Sequence, residues 1–305
     1  MILCAGEALI DMLPRETTAG EAAFAPHAGG AVFNTAIALG RLRVPTGFFS
    51  GLSTDLFGAM LEESLAASNV DARFAARSDR PTTLAFVRLV DGHATYAFYD
   101  ENTAGRLLTD ADLPSTTGVD AMFFGGISLV VEPCATAYEA LMLREAAERV
   151  TMIDPNIRPG FINDEDRYRA RITRMMAAAD IVKVSDEDLT WLRGPGDMNA
   201  RAEEVRAMGP AIVLVTRGAL GANAYHAGGH LFVESWSATV VDTVGAGDTF
   251  NAGFLASLHE QGALNKAALR TLSEGALTEA VTMGAKAAAI TVSRAGANPP
   301  ARNEL

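Results

Sequence analysis

Cysteine is scarce: the 305 residues contain two, Cys4 and Cys134. Two are too few for a disulfide framework, and neither sits at a metal-ligand spacing. Basic residues are outnumbered, with 25 Lys plus Arg against 37 Asp plus Glu and a net charge of −12. So acidic a chain is poorly suited to wrapping nucleic acid or lying on an anionic membrane. Anionic small ligands remain open, because a few local donors suffice for them. No run approaches 18 apolar residues, and the start lacks a basic region and meets Glu7 and Asp11 early. A membrane span and a signal peptide are therefore not expected, and the cytoplasm is the expected location. Internal repeats and low-complexity linkers are also missing. What is present is an ordinary globular balance of 49% apolar and 20% charged residues, enough to bury a sizeable core.

Strand and helix signals alternate along most of the chain. The first strand is expected over Ile2 to Ile10, followed by strands and turns over Pro14 to Gly30. Helices are expected over Phe33 to Leu42, Leu56 to Ala67, Pro133 to Arg149, Arg167 to Ala179, Asp248 to Gln261 and Glu274 to Ile290. Thr46 to Phe49, Ala121 to Gly125, Val150 to Asp154, Ile181 to Val184 and Ile212 to Thr216 read as strands, the last two buried and parallel. Thr83 to Tyr99 reads as a hairpin about an Asp91-Gly92 turn, and Thr216 to Glu234 as further antiparallel strands. The fold class is α/β, a mostly parallel central sheet with helices on both faces. Asp11 to Gly30 and Thr83 to Tyr99 have no helices to cover them and are expected to form a small β lid. Residues 1–305 then make one domain.

The sharpest chemical signal runs from Asp242 to Phe254, where an expected strand, Ala238 to Val241, enters a small-residue turn and then an apolar helix. Gly245, Ala246 and Gly247 leave backbone N–H groups uncovered at a helix start, which suits a phosphate or a developing phosphoryl charge. Asp248, just inside that helix, is placed to accept a proton from an attacking hydroxyl. The plainer alternative is a tight turn with Asp248 as its cap. Asp11 is expected at a strand end, where open α/β sheets bind ligands and a carboxylate can take two sugar hydroxyls. Arg158, in Asp154-Pro155-Asn156-Ile157-Arg158, offers a forked charge for phosphate or substrate oxygen, or is a surface residue. Asp186, Glu187 and Asp188 open an expected helix, where acids are usually plain dipole partners.

The Asp242 to Leu255 stretch resembles the C-terminal signature of the phosphofructokinase-B-type, ribokinase-like carbohydrate kinases. Gly29-Gly30-Ala31-Val32-Phe33-Asn34 is similar to that family's N-terminal signature, departing from it at Val32-Phe33, and Thr216-Arg217-Gly218-Ala219-Leu220-Gly221 to its nucleotide loop. The opening Gly6-Glu7-Ala8-Leu9-Ile10-Asp11 looks like that of its fructokinase members.

The resemblance implies a ribokinase-like fold and an ATP-dependent sugar kinase, with fructose as the favoured acceptor. It implies Asp248 as the base, Gly245 to Gly247 as the anion hole and Arg158 at the reacting centre. Asp11, Gly29, Gly30, Asn34, Tyr96, Phe98, Arg158 and Asp248 would bind the sugar. Lys183, Ser185, Thr216, Gly218, Gly221, Gly245, Gly247 and Asn298 would bind ATP. The family's Asn-x-x-Glu, tied to Mg2+, is Ser185-x-x-Asp188 here, which leaves Glu187 or Asp188 to act through metal-bound water. Asp242, Val244, Arg294 and Gly296 would surround a K+ ion, and pairing through the lid would give a homodimer. A 2-keto-3-deoxygluconate or other ketose kinase, and a non-catalytic sugar-binding regulator, are the alternatives. A Rossmann dehydrogenase is disfavoured because Asp11-Met12-Leu13-Pro14, not a glycine-rich turn, follows the first strand.

Overall fold

The computed structural model describes residues 1–90 and 93–305, and the side chains outside 88–96. The expected Asp91-Gly92 turn lies outside the described residues. The chain begins β1 (Ile2–Ala5), β2 (Leu9–Glu16), β3 (Ala22–Gly29), α1 (Ala31–Arg41), β4 (Thr46–Phe49), β5 (Gly51–Ser53) and α2 (Leu56–Ala67). It continues through β6 (Val70–Asp71), β7 (Ala76–Ser78), β8 (Leu84–Val90), β9 (His93–Tyr99), β10 (Ala121–Gly125) and α3 (Cys134–Glu145). Next come β11 (Val150–Asp154), α4 (Glu165–Ala178), β12 (Ile181–Ser185), α5 (Asp186–Arg193), α6 (Met198–Arg206) and β13 (Ile212–Thr216). The last part holds β14 (Gly221–His226), β15 (Gly229–Glu234), α7 (Ala246–Glu260), α8 (Lys266–Arg270) and α9 (Glu274–Val292).

Nine strands form the main sheet in the order β15-β14-β13-β12-β11-β10-β1-β4-β6. All neighbours from β13 to β6 are parallel, and β14 and β15 add an antiparallel edge. Parallel strands need helical crossovers, so helices cover both faces. Alternate residues of β1 divide accordingly. Ile2 and Cys4 join the core on one face, which includes Phe33, Phe254 and Val281, whereas Leu3 and Ala5 join the core on the other, which includes Tyr138, Ile172 and Val205. A four-stranded sheet, β3-β2-β8-β9, brings together the two segments that lack helical cover, with β2 and β8 parallel.

Three expectations are corrected. The first strand is not continuous to Ile10: it breaks at Gly6-Glu7-Ala8, and β2 joins the small sheet. A methyl on Gly6 would come within 2.4 Å of Val32 Cγ2, so α1 packs directly on the break. Asp11 therefore lies inside β2, opposite His27 and Ala85, rather than at a strand end. Ala238 to Val241 joins no sheet; Val241 N donates to Val292 O, and Val240 and Val241 are exposed, their β-branched side chains mimicking a strand signal.

Candidate active site

The C-terminal ends of the parallel strands face the small sheet across a cleft of about 360 Å³, lined on the sheet side by Leu9, Asp11 and Phe98. This is the edge of an open α/β sheet where ligands bind. On the other side lie Thr243 to Asp248, the start of α1 and the segment after β11. Gly245 caps α7 with φ 77°, a conformation L side chains rarely adopt, and a methyl there would come within 2.7 Å of Ala297 Cβ. The first N–H groups of a helix have no partner within it. Ala246 N donates to Thr243 O at 3.3 Å, contrary to the expectation that all three N–H groups are uncovered, but the turn still aims the helix dipole at the cleft.

Asp248 is not the cap but lies in the first turn of α7, buried, with its Oδ2 accepting from Asn34 Nδ2 at 2.9 Å. Burial pushes its carboxyl up to about 7; the Asn34 bond and Lys183 pull the other way, while Asp154 and Glu7 add to the rise. A carboxylate so placed takes a proton near neutral pH. Across the cleft, burial raises Asp11 to about 6. A methyl on Gly29 would sit 2.2 Å from Asp11 Oδ2, so glycine there leaves that oxygen its place. Glu7 turns inward, accepting from Ala31 N (2.8 Å), Val32 N (3.4 Å) and Ser128 N (3.2 Å). Its carboxylate thus anchors the α1 N-terminus, one turn before Asn34.

The pfkB family of carbohydrate kinases matches residues 1–304. A fructokinase of Rhizobium leguminosarum bv. trifolii is 57% identical over 278 residues, 91% of this chain and 85% of that protein. A probable fructokinase-7 of Arabidopsis thaliana is 32% identical, over 98% of this chain and 89% of its own length. The crystal structure of an ATP-bound fructokinase from Xylella fastidiosa superposes with a TM-score of 0.89 at 29% identity, over 100% of this chain and 94% of that one. The chain belongs to the pfkB carbohydrate kinase family.

In this pfkB kinase the cleft gathers Asp11, Gly30, Asn34, Phe98, Arg158, Lys183, Val244 and Gly245 to Asp248. Phe98 meets Phe161 edge-on at 4.6 Å, and Arg158 is exposed, its Nη1 donating to Ile157 O at 3.0 Å. Tyr96 stands opposite Val87 in the β8–β9 register; its side chain lies outside those described.

Ser185, Thr216, Gly218, Gly221 and Asn298 do not line the cleft. Ser185 caps α5, Gly218 is exposed, and Asn298 Oδ1 accepts from Arg41 Nη1 at 2.7 Å. Asp242 accepts from Val244 N (3.0 Å) and Gly296 N (2.9 Å), closing two loops on each other, while Arg294 pairs with Glu304. Asp188 accepts from Ile157 N (3.1 Å) and Ser185 N (3.3 Å), and Glu187 is exposed outside the cleft. Both Asp188 oxygens thus serve backbone donors, and among the described residues no His, Cys, Asp and Glu cluster could hold a metal ion. That donor set fits an ion held through bound water and substrate phosphates rather than an all-protein cage.

Sequence reasoning gave no role to three residues the structure puts at the site: Glu7, Asp154 and Asn251. Glu7 and Asp154 were detectable as acids at strand ends facing the cleft. Asn251 was detectable as a polar residue amid Phe250, Ala252, Gly253 and Phe254, three positions after Asp248.

Proposed function

We propose that this carbohydrate kinase transfers the γ-phosphoryl group of ATP to the terminal hydroxyl of fructose, giving fructose 6-phosphate. The observation that carries it is a buried carboxyl, Asp248, raised to about 7 at the start of a glycine-turn helix and facing a sugar-sized cleft. Asp11, Gly29, Gly30 and Asn34, with Tyr96 and Phe98 from the small sheet, bind the sugar. Asp248 accepts the hydroxyl proton, that oxygen bonds to the γ-phosphorus, and the bond to the β–γ bridging oxygen breaks to release ADP. The N–H groups of the Gly245 to Gly247 turn and Arg158 meet the charge that moves. Lys183, Ser185, Thr216, Gly218, Gly221 and Asn298 form the nucleotide side, in the cytoplasm.

Mg2+ would arrive with ATP and offset phosphate charge, with Glu187 or Asp188 holding it through bound water, since Mg2+ keeps several waters in such sites. The loop closure at Asp242 supports a K+ site with Val244, Arg294 and Gly296. The small sheet acts as a lid over the sugar, and its exposed Phe24 and Tyr99, flanking Phe86 in an edge-on row, support a homodimer through that face.

A sugar acid such as 2-keto-3-deoxygluconate is the second reading, favoured by the exposed Arg158 in the cleft. A sugar acid also needs a further cation or hydroxyl for its carboxylate, and of the nearby groups Arg106 is committed to Asp100 at 2.8 Å and Tyr99 lies in the exposed row. The test is ADP release from Mg-ATP with fructose and 2-keto-3-deoxygluconate in parallel, with and without K+. Saturable turnover on fructose supports the proposal; preference for the acid overturns the acceptor, and silence on every sugar overturns the activity.

A further inference from the structure

Asp154 ends β11 with both carboxylate oxygens in use. Its Oδ1 accepts from Asn156 N at 3.1 Å, and its Oδ2 from Lys183 Nζ at 2.9 Å and Asn251 Nδ2 at 2.7 Å. All three side chains are buried, Asn251 completely. Asp248 and Asn251 are three residues apart on α7 and share a face, so one helix reaches Asn34 with Asp248 and Asp154 with Asn251. The amide orientation follows from charge: turned over, Asn251 Oδ1 would oppose the Asp154 carboxylate. As it stands, Nδ2 donates and Oδ1 is left buried with no hydrogen-bond partner. Leaving a buried oxygen unpaired is unfavourable, so the bond to Asp154 is what justifies an asparagine in this apolar helix.

Lys183 lines the cleft, and a methyl on Gly247 would come within 3.3 Å of its Nζ. Burial pulls its ammonium toward neutrality, but Asp154 above all, with Asp188 and Asp248, more than offsets this and keeps it charged. An ammonium has three N–H donors, of which Asp154 accepts one.

We propose that Asp154 and Asn251 are positioning residues that hold the Lys183 ammonium beside the Gly245–Gly247 turn, where it takes up charge from the transferred phosphoryl group. This rests on the phosphoryl-transfer reading and adds a cation to it. Lys183 keeps its proton throughout, and the bonds formed and broken are those of the transfer itself. An oriented ammonium in a water-poor site stabilises such charge without reorganising.

The experiment compares Lys183→Met, Asn251→Ala and the double variant. It measures kcat, the sugar KM, and calorimetric affinity for ADP alone and for ADP with aluminium fluoride, a mimic of the transferring group. Lys183→Met is expected to lower kcat by about 10²–10³-fold. It leaves the sugar KM within about threefold and removes the extra affinity that aluminium fluoride confers on ADP. Asn251→Ala lowers kcat by about tenfold alone, and by less than about twofold when Lys183 is already Met, because a positioning residue has nothing left to position. Equal losses in both backgrounds overturn the positioning role. A Lys183→Met enzyme with near-normal kcat and intact analogue affinity overturns the whole inference. Should Lys183→Met fail to fold by its melting curve, Lys183→Gln takes its place under the same criteria. A native chain whose ADP release no sugar stimulates overturns the kinase reading, and the inference with it.

Discussion

Asn34 of α1 donates a hydrogen bond of 2.9 Å to Asp248 of α7, joining residues 214 positions apart in the chain. The bond favours the ionised form, as does the nearby Lys183, of a carboxyl otherwise raised by burial and by Asp154 and Glu7. Asn34 in turn is held because Glu7 anchors the first turn of its helix. The proton affinity of Asp248 is thus set by elements from both ends of the sequence.

The pH profile follows. Asp248 at about 7 and Asp11 at about 6 must both be ionised, one to accept a proton and the other to accept sugar hydroxyls. The logarithm of kcat/KM is expected to fall with unit slope as pH drops through 7, steepening toward two below 6. Asn34→Ala removes a bond that lowers the Asp248 value, so the upper limb moves to higher pH. A limb that stays fixed in this variant, measured from pH 5 to 9, contradicts the role given to Asn34.

Asp248→Asn is expected to lose turnover by about 10²–10⁴-fold while gaining stability. The folded-state value lies above the ordinary 3.8, so the folded chain binds this proton more tightly than the unfolded chain does. The stability penalty from ionising Asp248 is absent below about pH 4 and fully present above about pH 7. The amide removes it, giving about 1–4 kcal/mol at pH 8 and little at pH 4. Denaturant melts of both proteins at the two pH values check the difference; equal gaps at pH 4 and pH 8 contradict it.

Gly29 has no positive φ, so a side chain there meets the site rather than backbone strain. In Gly29→Ala the methyl would come 2.2 Å from Asp11 Oδ2 and displace it. The expected result is a sugar KM raised by about 10–100-fold with kcat changed less, because Asp248 and the glycine turn are untouched. A variant with unchanged KM would detach Asp11 from sugar binding.

Much of this was legible in the sequence because it rests on local signals. Buried parallel strands such as Ile212–Thr216 are continuous apolar runs, and the Gly245 to Gly247 turn is a local pattern of small residues. Contacts across the chain were not legible. Glu7 reads as one more acid until α1 folds back and offers it the Ala31 and Val32 N–H groups. Asp188 reads as an acid at a helix start, and its hydrogen bond from Ile157 N, 31 residues away, could not be seen before the chain folds. The break at Gly6–Ala8 also escaped, because Ile2 to Ile10 keeps strand-like hydrophobicity while its two halves serve different sheets.

The exposed row on the small sheet leads to the last expectation. Phe24 and Phe86 meet edge-on at 5.0 Å and Phe86 and Tyr99 at 5.5 Å, with Phe24 49% and Tyr99 63% exposed. An open four-stranded sheet bearing exposed aromatics is a surface that pairing would cover. Phe24→Glu places a charge in the row on β3 without touching the cleft. Sedimentation velocity should then give a dimer for the native chain and a monomer for the variant. In the monomer the sugar KM rises, since the sheet that carries Asp11 and Phe98 loses its support. A native chain that sediments as a monomer at micromolar concentration contradicts the pairing, and a monomeric variant with unchanged KM separates pairing from sugar binding.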